Sequence, residues 1–291
     1  MRWVPVDRIP CGPFTLDLSS RTLIMGILNV TPDSFSDGGL HFDPNRALER
    51  ALQMAAEGAD LIDVGGESTR PGARPVPAQE EMDRILPVIR RLAREIPVPI
   101  SVDTYKAAVA RAALEEGAHL VNSLSGFRYD PMMAQVVARH GVPVVITHVR
   151  GRPEDMQRDP RYESLMDEIS HELQADITLG QQAGIELRRF IVDPGIGFGK
   201  TPAHNVEILS SLRELCRLNC PIMIGPSRKS FLRKILNQET GEILGASAAA
   251  IALGIHEGAH IVRVHDVALM VQVARIADAL TAGQAQGALH A

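Results

Sequence analysis

The chain has 291 residues, 45% hydrophobic and 22% charged, a composition that excludes a disordered or fibrous protein. Thirty Lys and Arg against 35 Asp and Glu leave a net charge of −5. General affinity for nucleic acid is therefore not expected, and an anionic ligand must be held by a local cationic site.

The N-terminus, from Met1 to Arg8, lacks the apolar run of a signal peptide. Phe14-Thr15-Leu16-Asp17-Leu18 before Ser19-Ser20 predicts a β-hairpin capping the amino end of the fold. Residues 23–30 form the first long aliphatic run, a predicted buried strand. A helix follows, with Asp43 as N-cap and Pro44 in the first helical position. Ala47, Leu48, Ala51, Leu52, Ala55 and Ala56 then lie along one helical face.

Glu57-Gly58-Ala59-Asp60-Leu61-Ile62-Asp63 ends that helix, and it is echoed at residues 116–122 and 257–263. Each copy predicts a Gly in the left-handed conformation, a short buried strand and, five residues after the Gly, a polar side chain at the strand's carboxyl end: Asp63, Asn122 and Arg263. Further strands are predicted at 99–102, 142–147, 190–193 and 221–224. Eight aliphatic strands alternating with helices predict an α/β protein of the (β/α)8 TIM-barrel type, with an N-terminal β-hairpin. A doubly wound open sheet is the alternative. The expected organisation is one domain over residues 1–291, with the barrel at roughly 22–282 and a frayed tail at 283–291. The apolar stretch 246–255 is too short to span a bilayer. Three cysteines build no disulfide framework and suit a reducing compartment, so a cytoplasmic location is expected, with no membrane or nucleic-acid partner.

Barrel enzymes carry their reactive groups at the carboxyl ends of the strands. Here those ends read Asn29, Asp63, Asp103, Asn122, His148, Asp193, Ser227-Arg228-Lys229, and Arg263 with His265. Any one polar strand end means little, and Asp103 or Asp193 alone could simply cap the next helix. His148 reads as a packed imidazole. All eight ends polar, with acids and amides on one arc and cations on the other, predict a site. Asp103, Asn122 and Asp193 complement a flat heterocycle bearing ring N–H and amino groups. Lys229, Arg263 and His265 gather cations where barrels often bind phosphate. No clustered His and Cys spacing predicts a protein-caged zinc. Long loops at 31–39, 65–74 and 149–161 are expected to close over the barrel mouth. The glycines of Asp193-Pro194-Gly195-Ile196-Gly197-Phe198-Gly199-Lys200 have the wrong spacing for a dinucleotide fingerprint and are expected to let Phe198 approach a flat ligand.

The runs Asn29-Val30-Thr31-Pro32-Asp33-Ser34-Phe35-Ser36-Asp37-Gly38-Gly39, Gly65-Gly66-Glu67-Ser68-Thr69-Arg70-Pro71-Gly72, Asp193-Pro194-Gly195-Ile196-Gly197-Phe198-Gly199-Lys200, Ser227-Arg228-Lys229-Ser230 and Arg263-Val264-His265-Asp266-Val267 strongly resemble the dihydropteroate synthase family. The resemblance runs from about Leu16 to about Leu280. It implies a transferase of folate biosynthesis that condenses (7,8-dihydropterin-6-yl)methyl diphosphate with 4-aminobenzoate. By position, it implies that Thr69, Asp103, Asn122, Asp193, Lys229, Arg263, Val264 and His265 hold the pterin diphosphate. Thr69, Arg70, Pro71, Phe198, Lys229 and Ser230 would surround the aminobenzoate, where sulfonamides compete. Asp103, Asp193, Lys229, Arg263 and His265 would carry catalysis, Asn29 would help bind Mg²⁺, and the chain would form a homodimer. Two positions depart from the family pattern. Ser123 stands where Asp is usual, putting a support of Asn122 in doubt, and Thr147 stands where Met is usual, with little effect expected. A pterin-dependent corrinoid methyltransferase would account for Asp103, Asn122 and Asp193 but not for the 227–230 and 29–39 segments. A non-catalytic pterin-binding paralogue would need none of the anion-binding residues. A lysine aldolase using Lys229 is the weakest alternative.

Overall fold

A computed structural model of the chain describes residues 4–31, 44–70 and 72–286. β1 (Arg8–Cys11) and β2 (Phe14–Asp17) form the antiparallel hairpin. Eight parallel strands follow: β3 (Leu23–Asn29), β4 (Leu61–Gly65), β5 (Ile100–Asp103), β6 (Leu120–Leu124), β7 (Val144–Thr147), β8 (Phe190–Asp193), β9 (Met223–Ile224) and β10 (Ile261–Val264). Their order is β8-β7-β6-β5-β4-β3-β10-β9, and a parallel bridge from Val192 to Ile222 joins the two ends. The sheet therefore closes into a barrel, and the open doubly wound alternative falls.

Helices α1 (Pro44–Ala56), α2 (Ala78–Glu95), α3 (Ala107–Glu115), α4 (Met132–His140), α5 (Leu165–Gln182), α6 (Pro202–Ser210), α7 (Ser230–Ile235), α8 (Leu244–His256) and α9 (Val267–Gln286) connect the strands and close the chain. Pro44 opens α1 as expected, while the Asp43 cap lies outside the described residues. α9 continues to Gln286, so the tail expected from residue 283 is helical over its first turn. Among the described residues no helix is long and apolar enough to cross a membrane.

The repeated glycines do what their position requires. Gly58, Gly117 and Gly258 have φ of 104°, 109° and 107°. The next amide in each copy donates to a carbonyl five residues back, Ala59 to Met54, Ala118 to Ala113 and Ala259 to Gly254, each at 2.9 Å. That bond satisfies a helix-end carbonyl and turns the chain directly into a strand.

Strand alternation divides the core in two. Ile24, Ile62, Val64, Val102, Val121, Ile146 and Val192 face outward and pack under the helices. Met25, Leu61, Leu120, Val145, Ile191, Met223 and Ile261 face inward, and Ile9, Cys11, Leu16 and Leu18 of the hairpin segment seal them from below. The hairpin is thus an apolar plug in the amino end of the barrel.

Candidate active site

Two residues beyond the inward-facing apolar layer, the same alternation places a polar one. Leu61 leads to Asp63, Leu120 to Asn122, Val145 to Thr147, Ile191 to Asp193 and Ile261 to Arg263, with Asp103 two beyond Ser101. Strand register brings them together: Asn122 lies beside Asp103, and Asp193 beside Thr147. They form the floor of a cleft lined by Thr69, Asp103, Asn122, Leu124, Thr147, Asp193, Ile196, Phe198, Met223, Gly225, Lys229 and Arg263.

Arg263 holds the floor together. Its Nε donates to Asp63 Oδ2 and its Nη2 to Asp103 Oδ2, both at 2.6 Å. Asn122 Nδ2 donates to the same Asp63 oxygen at 3.0 Å. Asp63, wholly buried, received no role from sequence. The signal was present, because it stands at the same position after the repeat glycine as Asn122 and Arg263. Asp193 accepts the Gly195 amide at 2.7 Å, which aims its carboxylate while leaving its second oxygen for a ligand. Neither Asp103 nor Asp193 caps a helix.

Burial dominates the electrostatics. It pushes the Asp193 carboxyl up to about 6, against the Gly195 hydrogen bond and the nearby Lys229. Asp103 is likewise raised by burial, with Arg263 pulling it down and Asp63 pushing it up. Lys229 is lowered to about 8, by burial first and by Arg263 second. Its Nζ sits 3.7 Å from the centre of the Phe198 ring, a cation–π contact forming one wall of the cleft. His265 is lowered to about 4, by burial and then by Arg263 and Arg228. It was grouped with the cations from sequence, and its Nδ1 lies 3.1 Å from Ser227 Oγ.

The remaining expected residues are placed unevenly. Asn29 ends β3 half-buried, outside the cleft lining. Arg70 is exposed on the β4–α2 loop, near enough to Lys229 to repel its charge. Ser230 is exposed at the first residue of α7. Alternation turns the Val264 side chain into the outer core, away from the cleft, which leaves its main chain available to a ligand. Pro71 and the loop at 32–39 lie outside the described residues. The β4–α2 and β7–α5 loops meet at the rim, where the Gly72 amide donates to the Pro153 carbonyl at 2.8 Å.

Ser123 faces away from the cleft and donates to the Gly126 carbonyl at 2.6 Å, so the support of Asn122 comes from Asp63 instead. Thr147, in contrast, lines the cleft. His148 is wholly buried, and Lys200 Nζ lies 3.0 Å from its Nδ1, while Glu172 Oε2 lies 3.3 Å from its Nε2 without hydrogen-bond geometry. Burial lowers His148 to about 3 and Lys200 to about 7. Among the described residues no group of three or more His, Cys, Asp or Glu could hold a metal ion.

The family model for pterin binding enzymes matches residues 25–265. Dihydropteroate synthase of Synechocystis is 45% identical over 273 residues, covering 94% of each chain. That of Escherichia coli K12 is 42% identical, covering 91% of this chain and 93% of its own. Among solved structures, Yersinia pestis dihydropteroate synthase in a sulfonamide drug complex superposes with a TM-score of 0.89 at 43% identity, covering 94% of this chain and 99% of that one. Xanthomonas albilineans dihydropteroate synthase bound to 7,8-dihydropteroate gives 0.85 at 40% identity, covering 94% and 99%. A closed barrel with this polar floor, and relatives matching along nearly their whole length, establish that the chain belongs to the dihydropteroate synthase family of pterin binding enzymes.

Proposed function

We propose that the cleft condenses (7,8-dihydropterin-6-yl)methyl diphosphate with 4-aminobenzoate, giving 7,8-dihydropteroate and diphosphate, and that diphosphate departs before the arylamine attacks. The observation carrying this reading is that Asp103, Asn122 and Asp193 converge in one cleft with Lys229 and Arg263. The relatives solved with 4-aminobenzoic acid and with 7,8-dihydropteroate support it.

The acids and the amide match the donors along one edge of a pterin ring. As the methylene–oxygen bond breaks, the electron-rich ring takes up positive charge, and the carboxylates of Asp103 and Asp193 stabilise it in a site largely withdrawn from water. Arg263, His265 and Thr69 receive the leaving diphosphate. The arylamine is already a neutral nucleophile; its nitrogen bonds to the methylene and then loses a proton, so no strong base is required. Phe198 and Lys229 provide a flat wall and a cation suited to the aminobenzoate ring and carboxylate, with Arg70 and Ser230 at the rim. The β4–α2 and β7–α5 loops help exclude water that would otherwise capture the cation.

Mg²⁺ fits these residues in a limited sense. Asn29 offers one amide oxygen at a strand end, as suits a cation that takes most of its ligands from phosphate and water. Bound there, it would neutralise charge on the departing diphosphate. A homodimer is supported by exposed apolar residues on the mutually packed α8 and α9: Leu253, Ile276 and Leu280 are each more than 60% exposed. The unpaired Cys11, Cys216 and Cys220 agree with a reducing, cytoplasmic setting.

The test is to mix the pterin diphosphate, 4-aminobenzoate and Mg²⁺ with the protein and follow both diphosphate release and arylamine consumption. Stoichiometric formation of dihydropteroate is expected. Diphosphate release with the arylamine left intact would overturn the transfer.

A further inference from the structure

Lys200 is a buried cation that the chemistry above does not use. It is only 3% exposed and does not line the cleft. An ammonium is costly to bury unless its donors are taken up. Here they are directed at two acceptors, the Phe198 carbonyl at 3.0 Å and His148 Nδ1 at 3.0 Å. With Nδ1 accepting from the ammonium, His148 carries its proton on Nε2, 3.3 Å from a Glu172 oxygen, and Arg150 and Arg128 hold Glu172 in turn.

The Gly195–Gly199 turn is fastened at four of its carbonyls and, through the Gly197 amide, to Asn205 Oδ1 at 2.6 Å. The Phe198 amide donates to Gly195 O at 3.0 Å, Gln157 to Gly197 O at 2.8 Å and Tyr162 to Gly199 O at 2.9 Å. Lys200 supplies the remaining bond, the one at Phe198 itself. The turn has no slack on its other side either. A Cβ on Gly195 would lie 1.8 Å from the His148 carbonyl oxygen, and one on Gly197 would lie 3.0 Å from Lys229 Cδ.

We propose that Lys200 is a positioning residue for the arylamine: by tying the Phe198 main chain to the buried His148 ring, it holds the Phe198 ring under Lys229 Nζ and so sets affinity for the aromatic amine. The inference rests on the reading of the Phe198–Lys229 wall as the arylamine subsite. Pterin recognition is carried by Asp103, Asn122 and Asp193; Lys200 hydrogen-bonds none of them and reaches Asp193 only through its charge.

Lys200→Met keeps length and volume while removing both bonds. Its KM for 4-aminobenzoate is expected to rise about tenfold, the loss of one charge-assisted hydrogen bond, with calorimetric Kd for the pterin diphosphate within about threefold of the parent. Combined with Phe198→Ala, Lys200→Met is expected to add little further increase, because both changes remove the same wall. A merely structural lysine would lower the melting temperature and the active fraction without raising that KM. Unchanged arylamine KM, equal weakening of both substrates, or effects that multiply with Phe198→Ala would overturn the proposal. Glu172→Gln, at the half-exposed end of the chain, is read in the same way with a smaller expected shift, and it decides the matter if Lys200→Met does not fold. The parent protein's own turnover tests the parent reading separately.

Discussion

Arg263 reaches two carboxylates at once, and that geometry sets the cost of removing it. Arg263→Ala would leave Asp63 and Asp103 facing each other in a buried floor, so a loss of about 3–5 kcal/mol in unfolding free energy is expected by denaturant titration. His265 is held beside Ser227 and Arg263, so His265→Ala should weaken binding of the pterin diphosphate while leaving affinity for the bare pterin within about twofold. Calorimetry with both ligands checks this, and equal losses for the two would remove His265 from the diphosphate site. Asp193 accepts most strongly from a ring N–H when it is ionised, and its carboxyl is raised to about 6. Pterin affinity should therefore fall as pH drops through about 6. Asp193→Asn should bind far more weakly and lose that acid limb; persistence of the limb would assign it to another group. The same shift has a sign for folding. A carboxyl raised above its unfolded value favours the folded state at low pH, and that contribution is lost as pH rises through about 6.

At the scale of elements, the recurring glycine that stops a helix and launches a strand separates conformation from space. Gly117 and Gly258 share a φ near 108°, but a Cβ on Gly117 would lie 2.6 Å from Ala93 Cβ, whereas one on Gly258 meets nothing within 4 Å. Gly258→Ala should cost about 1–2 kcal/mol, the backbone strain alone. Gly117→Ala should cost measurably more by the same unfolding assay, because α2 and α3 must also separate. Equal costs would mean that the helices yield freely. The repeat itself was legible, since helix face, stop and aliphatic run are all local patterns. The strand ends were also legible, because inward and outward positions alternate by two. What the repeat could not reveal is that Asp63, its first polar terminus, becomes the shared acceptor of the other two.

The whole molecule keeps stability and chemistry at opposite ends of one barrel. Leu18 is fully buried beneath the inward-facing aliphatic layer, and the polar floor begins two residues above that layer. Leu18→Ala should cost about 2–4 kcal/mol of stability while leaving substrate affinity within about twofold. A matching loss of affinity in folded protein would show that plug and cleft are coupled through the barrel interior.

Sequence alone determined the eight strands, the helices between them, the capping hairpin and the polar strand ends, because each is written in a short-range period of apolar and polar residues. Closure of the sheet depended on a bridge between Val192 and Ile222 and on β3 lying beside β10, pairings between segments far apart in the chain. Only tertiary structure could decide that Val264 faces the outer core and that Arg263 is held by Asp63 and Asp103. It also decided that Lys200 is buried against His148 and that burial beside Arg263 and Arg228 depresses the His265 imidazole. Those properties are set by which groups meet across the barrel and by how much water they lose on meeting, and a linear pattern carries neither quantity.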